Sequence, residues 1–156
     1  MSSLYTGIMA LAENRDARRR YHILETLEAG MSLTGHEAKS ARLGTVSLKG
    51  SFVVLRGEQP VLINAHIGSF QPKNAPKGYD PTRTRSLLFQ KKEIQRLLGK
   101  RAAEGLTLIP LRLYTRAGRI KLEVGLARSK SKADEREAIK SREAEREIRR
   151  IVRGKV

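Results

Sequence analysis

The side chains in this sequence best placed to do chemistry are its clustered arginines and lysines, and the chemistry they suit is recognition of phosphate. Arg15, Arg18, Arg19 and Arg20 stand together. Lys39 and Arg42 are three apart, which on a helix places them on one face. Arg83 and Arg85 follow Asp80-Pro81 at a spacing of two, so in an extended segment they share a face. Lys130, Lys132 and Arg136 open the C-terminal stretch. A guanidinium forks onto two phosphate oxygens and also stacks on unpaired bases. Across the chain 32 Lys+Arg stand against 16 Asp+Glu, a net charge of +16. That surplus requires an anionic partner, either nucleic acid or an anionic membrane.

The remaining reactive residue types form no constellation. His22, His36 and His66 have no partner at helical metal-ligand spacing and read as ordinary surface or core histidines, so no metal and no cofactor is expected. Glu25 and Glu28 are three apart on an expected strand and point to opposite faces, which argues against a glycosidase-type acid/base pair. Ser40 and Ser51 lack the context of a nucleophile elbow, and no phosphate-binding glycine loop is present. With 0 Cys there is no disulfide framework, no thiolate nucleophile and no Cys-ligated zinc. No enzyme and no catalytic residue is expected. No segment approaches the ~18 apolar residues of a membrane span, and residues 1–12 lack the basic start of a secretory signal. The expected location is the cytoplasm. The seven aromatic residues, Tyr5, Tyr21, Phe52, Phe70, Tyr79, Phe89 and Tyr114, are too sparse for a base-stacking platform of the RNA-recognition-motif type. Folded RNA recognised by shape and backbone fits better.

The elements that must carry these residues are mostly strands. Residues 21–27 form one, closed by Ala29-Gly30. Residues 51–56 are apolar on both faces, and 61–64 follow at hairpin distance across Gly57-Glu58-Gln59-Pro60. Ile120, Leu122, Val124 and Leu126 alternate with Lys121, Glu123, Gly125 and Ala127, the period-2 pattern of a half-buried strand. Residues 106–114 are the antiparallel partner across Thr115-Arg116-Ala117-Gly118, with Pro110 expected at an edge or a bulge. Residues 32–43 read as a helix ending at Gly44, and 91–103 as a second, with Ile94, Leu97, Leu98 and Ala102 at helical spacing. The expected fold is mainly β with α: a small OB-like antiparallel barrel flanked by short helices. Composition shifts near Arg128, which divides the chain into a core, 1–128, and a basic tail, 129–156. The tail has no Pro and no aromatic residue, and one thin apolar stripe, Ala144, Ile148, Ile151 and Val152. It is expected to be disordered alone and helical on a partner.

Five ordered motifs then resemble the SmpB family, the SsrA (tmRNA)-binding proteins. They are Asn14-Arg15-x-Ala17 with Tyr21; Glu28-Ala29-Gly30; Leu33-x-Gly35-x-Glu37-x-Lys39-Ser40-x-Arg42; Asp80-Pro81-x-Arg83-x-Arg85-x-Leu87-Leu88; and Lys121-x-x-Val124-Gly125-Leu126-Ala127. The tail adds Asp134, Arg136, Ile139, Lys140, Arg142 and Glu143. The resemblance implies a barrel that binds the tRNA-like domain of tmRNA, one monomer per tmRNA, and helps deliver it to stalled ribosomes for rescue and peptide tagging. It implies that Asn14, Glu28, Lys39, Arg42, Arg83, Arg85 and Lys121 lie at or support the RNA face, beside Arg15. In the tail, Lys130, Lys132, Asp134, Arg136, Lys140, Arg142, Ile151 and Val152 would meet the ribosome, including its 16S rRNA, in the decoding centre and empty mRNA channel. The chain departs from the family pattern at His36, Gly50-Ser51-Phe52, Ser129-Lys130-Ser131, Ala133 and Glu135. A structural ribosomal protein, equally small and basic, is the alternative reading.

Overall fold

The computed structural model describes residues 8–130, 143–144 and 146–150, with the backbone alone at 101–103. In chain order the elements are β1 (Met9–Glu13), α1 (Ala17–Arg20), β2 (Tyr21–Met31), α2 (Gly35–Arg42), β3 (Val46–Ser47), β4 (Phe52–Arg56), β5 (Gln59–Ile63), β6 (His66–Ile67), a 3₁₀ turn (Pro72–Asn74), β7 (Arg85–Leu88), α3 (Lys91–Glu104), β8 (Thr107–Arg116) and β9 (Arg119–Ser129). Six strands run β8-β4-β5-β7-β2-β9, and β9 pairs back onto β8, so the sheet curls into a near-closed antiparallel ring. β1 extends β8 beyond the point where β4 leaves it, and β3 with β6 makes a separate two-stranded patch. The architecture is therefore mainly antiparallel β with a few short helices. No described helix is long and apolar enough to cross a membrane.

The period-2 pattern of β9 sends Ile120, Leu122, Val124 and Leu126 into the ring, where they meet Leu108, Leu113, Val53, Leu62, Leu87 and Ala29. Leu97 of α3 joins the same core and is fully buried. A second, smaller apolar cluster lies outside the ring, where Ala17 of α1 covers Ile109, Leu111 and Ala127, with Tyr21 and Ile23 beside them. Gly125 leaves room for that cluster. A Cβ there would stand 3.1 Å from Leu111 Cδ1 and 3.2 Å from Ile23 Cγ2, closer than ordinary van der Waals contact.

Several boundaries differ from the sequence reading for identifiable reasons. β2 does not close at Ala29-Gly30 but continues to Met31, because Gly30 pairs with Lys121 on one side and Leu88 on the other. The small residue is needed for that crossing, where an added Cβ would lie 3.3 Å from Leu88 Cβ. Helix α2 starts at Gly35 rather than at 32. Thr34 is its N-cap: the Thr34 hydroxyl accepts from the Glu37 N–H, and the Glu37 carboxylate accepts from the Thr34 N–H. This reciprocal box satisfies two otherwise orphan donors. The helix ends before Gly44, whose φ of +85° suits glycine. The β8–β9 hairpin is tighter than expected, with only Ala117 and Gly118 between the paired Arg116 and Arg119. Both have positive φ, 51° and 75°, as a two-residue primed turn requires.

Pro110 does sit at a bulge, where the β8–β9 register shifts between Pro110 and Arg112. Asn14 caps the freed backbone. Its side-chain amide donates to the Pro110 carbonyl at 2.9 Å, and its backbone N–H donates to the Leu111 carbonyl at 2.8 Å. β9 runs one residue past the expected core boundary, and the Lys130 N–H donates to the Arg20 carbonyl at 2.9 Å. Residues 143–144 and 146–150 are helical and exposed. Lys132, Asp134, Arg136, Lys140, Arg142, Ile151 and Val152 lie outside the described residues, as does most of the stretch expected to be conditionally helical.

Candidate nucleic-acid interface

Two motifs distant in sequence converge on one carboxylate. Glu37 is 1% exposed, and so is buried with its charge. Its Oε1 accepts from Arg83 Nη2 at 2.5 Å and from the Thr34 N–H at 2.9 Å, and its Oε2 accepts from Arg85 Nε at 2.9 Å and Arg83 Nε at 3.2 Å. Burial by itself would raise the Glu37 pKa. The donors from Arg83, Thr34 and Arg85 outweigh it and hold the carboxyl at about 2. Arg85 is 0% exposed and also donates to the carbonyls of Ala65, at 2.6 Å, and Pro81, at 2.9 Å. Of the two places expected for Arg85, at the RNA face or in support of it, its burial fits the second. It faces inward because only there can it neutralise Glu37 and fill two backbone acceptors. Arg83 is half exposed, and the same carboxylate raises its pKa.

This node orients α2. On its outward side Lys39 Nζ lies 4.7 Å from the centre of the Phe70 ring, and His36 packs between Phe70 and Tyr79 at centroid distances of 4.7 and 4.9 Å. The Tyr79 hydroxyl donates to the Ile67 carbonyl at 2.5 Å. Arg42, at the end of α2, reaches the β8–β9 hairpin, where Nη2 donates to the Gly118 carbonyl at 2.8 Å.

That hairpin continues into a charged face on the outside of β2, β9 and β8. Register sets it out in rows: Glu28 opposite Glu123 opposite Arg112, then Gly30 opposite Lys121 opposite Tyr114, then Arg119 opposite Arg116. Alternation turns all of these away from the core. Glu28 Oε2 accepts from the Tyr114 hydroxyl and, at 3.0 Å, from Arg116 Nη1. The Tyr114 hydrogen bond and Arg116 lower the Glu28 pKa against the opposing effect of burial. Burial and Glu28 together raise that of Tyr114, so at neutral pH the phenol is a proton donor and the carboxylate an acceptor. The Arg112 guanidinium lies 4.8 Å from the Tyr114 ring centre and donates from Nε to Glu123 Oε2 at 3.3 Å. A cleft beside it is lined by Glu13, Asn14, Arg15, Arg18, Arg112 and Glu123. A second, at the other end of the face, brings Arg42, Arg119 and Lys121 over Gly30, Leu33 and Leu88.

The face thus gathers Glu28, Lys121, Arg42 and, at its margin, Asn14 and Arg15. Lys39 stands on α2 beside the aromatic pair, Arg83 and Arg85 converge on Glu37, and Lys130 Nζ donates to the Arg18 carbonyl at 3.0 Å. Asn14 works through backbone capping, with its amide already engaged. Glu25 and Glu28 do face opposite ways: Glu25 turns to α3, where Arg96 and Lys100 contact it at 2.6 and 3.2 Å. Arg112, Tyr114, Arg116, Arg119 and Glu123 were missed. Their alternation with Leu113, Thr115, Ile120 and Leu122 was the available signal, because the same pattern that names the core names the residues pointing outward. Among the described residues no three His, Asp or Glu side chains come together as a metal site would need.

A protein-family model described as SmpB protein matches residues 11–154. The SsrA-binding protein of Acaryochloris marina is 44% identical over 143 residues, covering 92% of this chain and 93% of its own. That of Sulfurihydrogenibium sp. is 45% identical over 146 residues, covering 94% and 95%, and that of Nostoc punctiforme is 41% identical over 154 residues, covering 99% of each. A chain from the solved structure "tmRNA-SmpB: a journey to the center of the bacterial ribosome" is similar in fold, with a TM-score of 0.63 and 44% sequence identity, covering 81% of this chain and 92% of that one.

Proposed function

The chain belongs to the SmpB family, and from that membership we propose a function in which the outer face of β2, β8 and β9 is the RNA surface. The protein is an SsrA-binding protein. It binds tmRNA and acts with it in trans-translation on the ribosome. The family is one of RNA-binding proteins rather than enzymes.

The observation that carries the RNA face is the set of cations that alternation and the Ala117-Gly118 turn bring to one side of the ring: Arg112, Arg116, Arg119 and Lys121, with Arg42 beside Gly118. Cations on a rigid sheet suit a fixed pattern of phosphates, and arginine adds bidentate geometry. Glu28 stands among them as an acceptor, which suits a base or sugar donor rather than a phosphate. The ring is of the OB-like kind, a frequent host for RNA, and the RNA bound is the tRNA-like domain of tmRNA, one protein monomer to each RNA. Lys39, with Phe70 and His36, borders this surface. Arg83 and Arg85 act through Glu37 by holding α2 in place. Residues 1–128 form the RNA-binding unit. Residues 129–156 form a ribosome-binding tail, in which Lys130, Lys132, Asp134, Arg136, Lys140, Arg142, Ile151 and Val152 meet the decoding centre and the empty mRNA channel. The location is the cytoplasm, where translation takes place.

A cell-free translation of a message without a stop codon tests the function. With tmRNA and this protein added, the stalled peptide acquires the tmRNA-encoded tag. Absence of tagging with active tmRNA and ribosomes would refute it. The rival reading, a structural ribosomal protein, predicts one copy on every ribosome whether stalled or not.

A further inference from the structure

A carboxylate on a surface built to meet phosphate is a liability unless it does something a cation cannot. Glu28 is only 34% exposed in its side chain, yet it is ionised, with Arg116 paired to it and Lys121 nearby. Its two oxygens are treated differently. Oε2 takes both the Tyr114 hydroxyl and Arg116 Nη1, while Oε1 receives no hydrogen bond among the described residues. The tyrosine that fixes this is itself fixed. Tyr114 is 4% exposed, and the Arg112 guanidinium lies 4.8 Å from its ring centre, with Arg112 tied in turn to Glu123. The phenol is therefore a fixed post beside a partly buried carboxylate. Without it, Glu28 would be free to swing onto Arg116 or the neighbouring Lys121 and spend both oxygens there.

We infer that Tyr114 is a positioning residue for RNA recognition: by claiming Glu28 Oε2 it holds Oε1 outward as an acceptor for a single N–H or O–H donor of the RNA. This rests on the reading of the β2/β8/β9 face as the RNA surface. Phosphate oxygens cannot supply such a donor at neutral pH. Two RNA groups can, a base amino or imino group and a ribose 2′-hydroxyl, and the second would distinguish RNA from DNA. Arg116 shares the clamp, so the same carboxylate keeps one cation aimed at the backbone while it reads a donor.

The test is a double-mutant cycle in the full-length protein, read by affinity for the tRNA-like domain of tmRNA at several salt concentrations. Tyr114→Phe removes only the hydroxyl and keeps the ring beside Arg112. It should weaken binding by roughly 10- to 150-fold, the loss of one hydrogen bond involving a charged group. The salt slope should not change, because no phosphate contact is lost. Glu28→Gln should cost about as much or more, and the double variant no more than Glu28→Gln alone. RNA with single 2′-deoxy substitutions, and RNA with inosine in place of guanosine, form the two further arms. The modified RNA that lacks the relevant donor should bind wild type and Glu28→Gln alike, which identifies that donor. Wild-type affinity in Tyr114→Phe, with Glu28→Gln impaired, would overturn the inference and leave the face intact. Additive losses accompanied by a lowered melting temperature in Tyr114→Phe would also overturn it, since they mark a merely structural role. If Glu28→Gln, Arg116→Ala and Lys121→Ala all bind as wild type, the RNA face itself is misplaced.

Discussion

Replacing Glu37 by Gln should destabilise the fold by several kcal/mol, and it should do so with a characteristic pH dependence. The substitution keeps the side chain's size, and the amide oxygen can still accept from the Thr34 N–H, so the helix cap survives. What disappears is the counter-charge for Arg85, which is 0% exposed. In the wild type the Glu37 pKa falls from 4.5 to about 2 in the folded state. That depression corresponds to about 3 kcal/mol of stability, and leaving a buried arginine without its partner costs about 3–5 kcal/mol. Because the folded pKa lies below the unfolded one, the unfolded chain binds more protons between them. The stabilisation is complete above pH 4.5 and is lost as pH falls toward 2. Urea unfolding followed by circular dichroism, repeated from pH 7 to pH 2.5, should show Glu37→Gln less stable by about 3–4 kcal/mol at pH 7, a fall in melting temperature of about 10–15 °C. The gap should narrow through the acid window as the wild type loses its own contribution. The contrasting control is Glu25→Gln, whose partners Arg96 and Lys100 are more than two-fifths exposed in their side chains. Exposed pairs of this kind are worth about 1 kcal/mol or less. A Glu37→Gln variant within 1 kcal/mol of wild type at pH 7, or a gap that stays constant from pH 7 to pH 2.5, would refute the assignment of Glu37 and Arg85 as a buried pair that stabilises the fold.

Lys121→Ala and Arg112→Ala should each weaken binding to the tRNA-like domain and lower the slope of log affinity against log salt by about 0.7–0.9 per phosphate contact removed, as measured by filter binding across a salt series. Asn14→Ala should destabilise the fold by about 1–2 kcal/mol in urea melts, because the Pro110 carbonyl at the β8 bulge loses its donor. Replacing Ile151 and Val152 together with Asp should abolish peptide tagging in cell-free translation while leaving tmRNA affinity near wild type.

How far the sequence revealed this molecule depends on how local each decision was. The β8–β9 hairpin was legible because alternation from Ile120 to Leu126 is a one-strand pattern that burial enforces. Pro110 at a bulge was legible for the same kind of reason, since proline cannot donate to a ladder. The helix start at Gly35 was not, because the reading rested on the glycine at its C-terminal end and did not use the capping box that Thr34 and Glu37 spell at its start. β2 passing through Ala29-Gly30 was hidden because glycine there serves a close strand crossing with Leu88, a tertiary fact, rather than a turn. At the site, the doublet Arg83 and Arg85 looked like one phosphate clamp. Nothing in their spacing shows that a carboxylate 46 and 48 residues away would engage both and bury Arg85. The outward residues Arg112, Tyr114 and Arg116 could have been read from β8 once its core face was known, but the bulge at Pro110 shifts the alternation by one residue there. Glu28 reads from the sequence only as a member of the RNA face, because its donor Tyr114 comes from a strand 86 residues on.

The central claim is that the outer face of β2, β8 and β9 holds the tRNA-like domain. The most direct measurement is the affinity of full-length protein for that RNA, with ordinary tRNA as competitor, for wild type and for a variant carrying Arg112→Ala, Arg116→Ala and Lys121→Ala together. The account predicts preferential binding by wild type and a loss of about 100-fold or more in the triple variant, with an unfolding transition close to that of wild type because all three side chains lie on the outer face of the ring. A triple variant that folds normally and still binds the tRNA-like domain with wild-type affinity and salt dependence would contradict it.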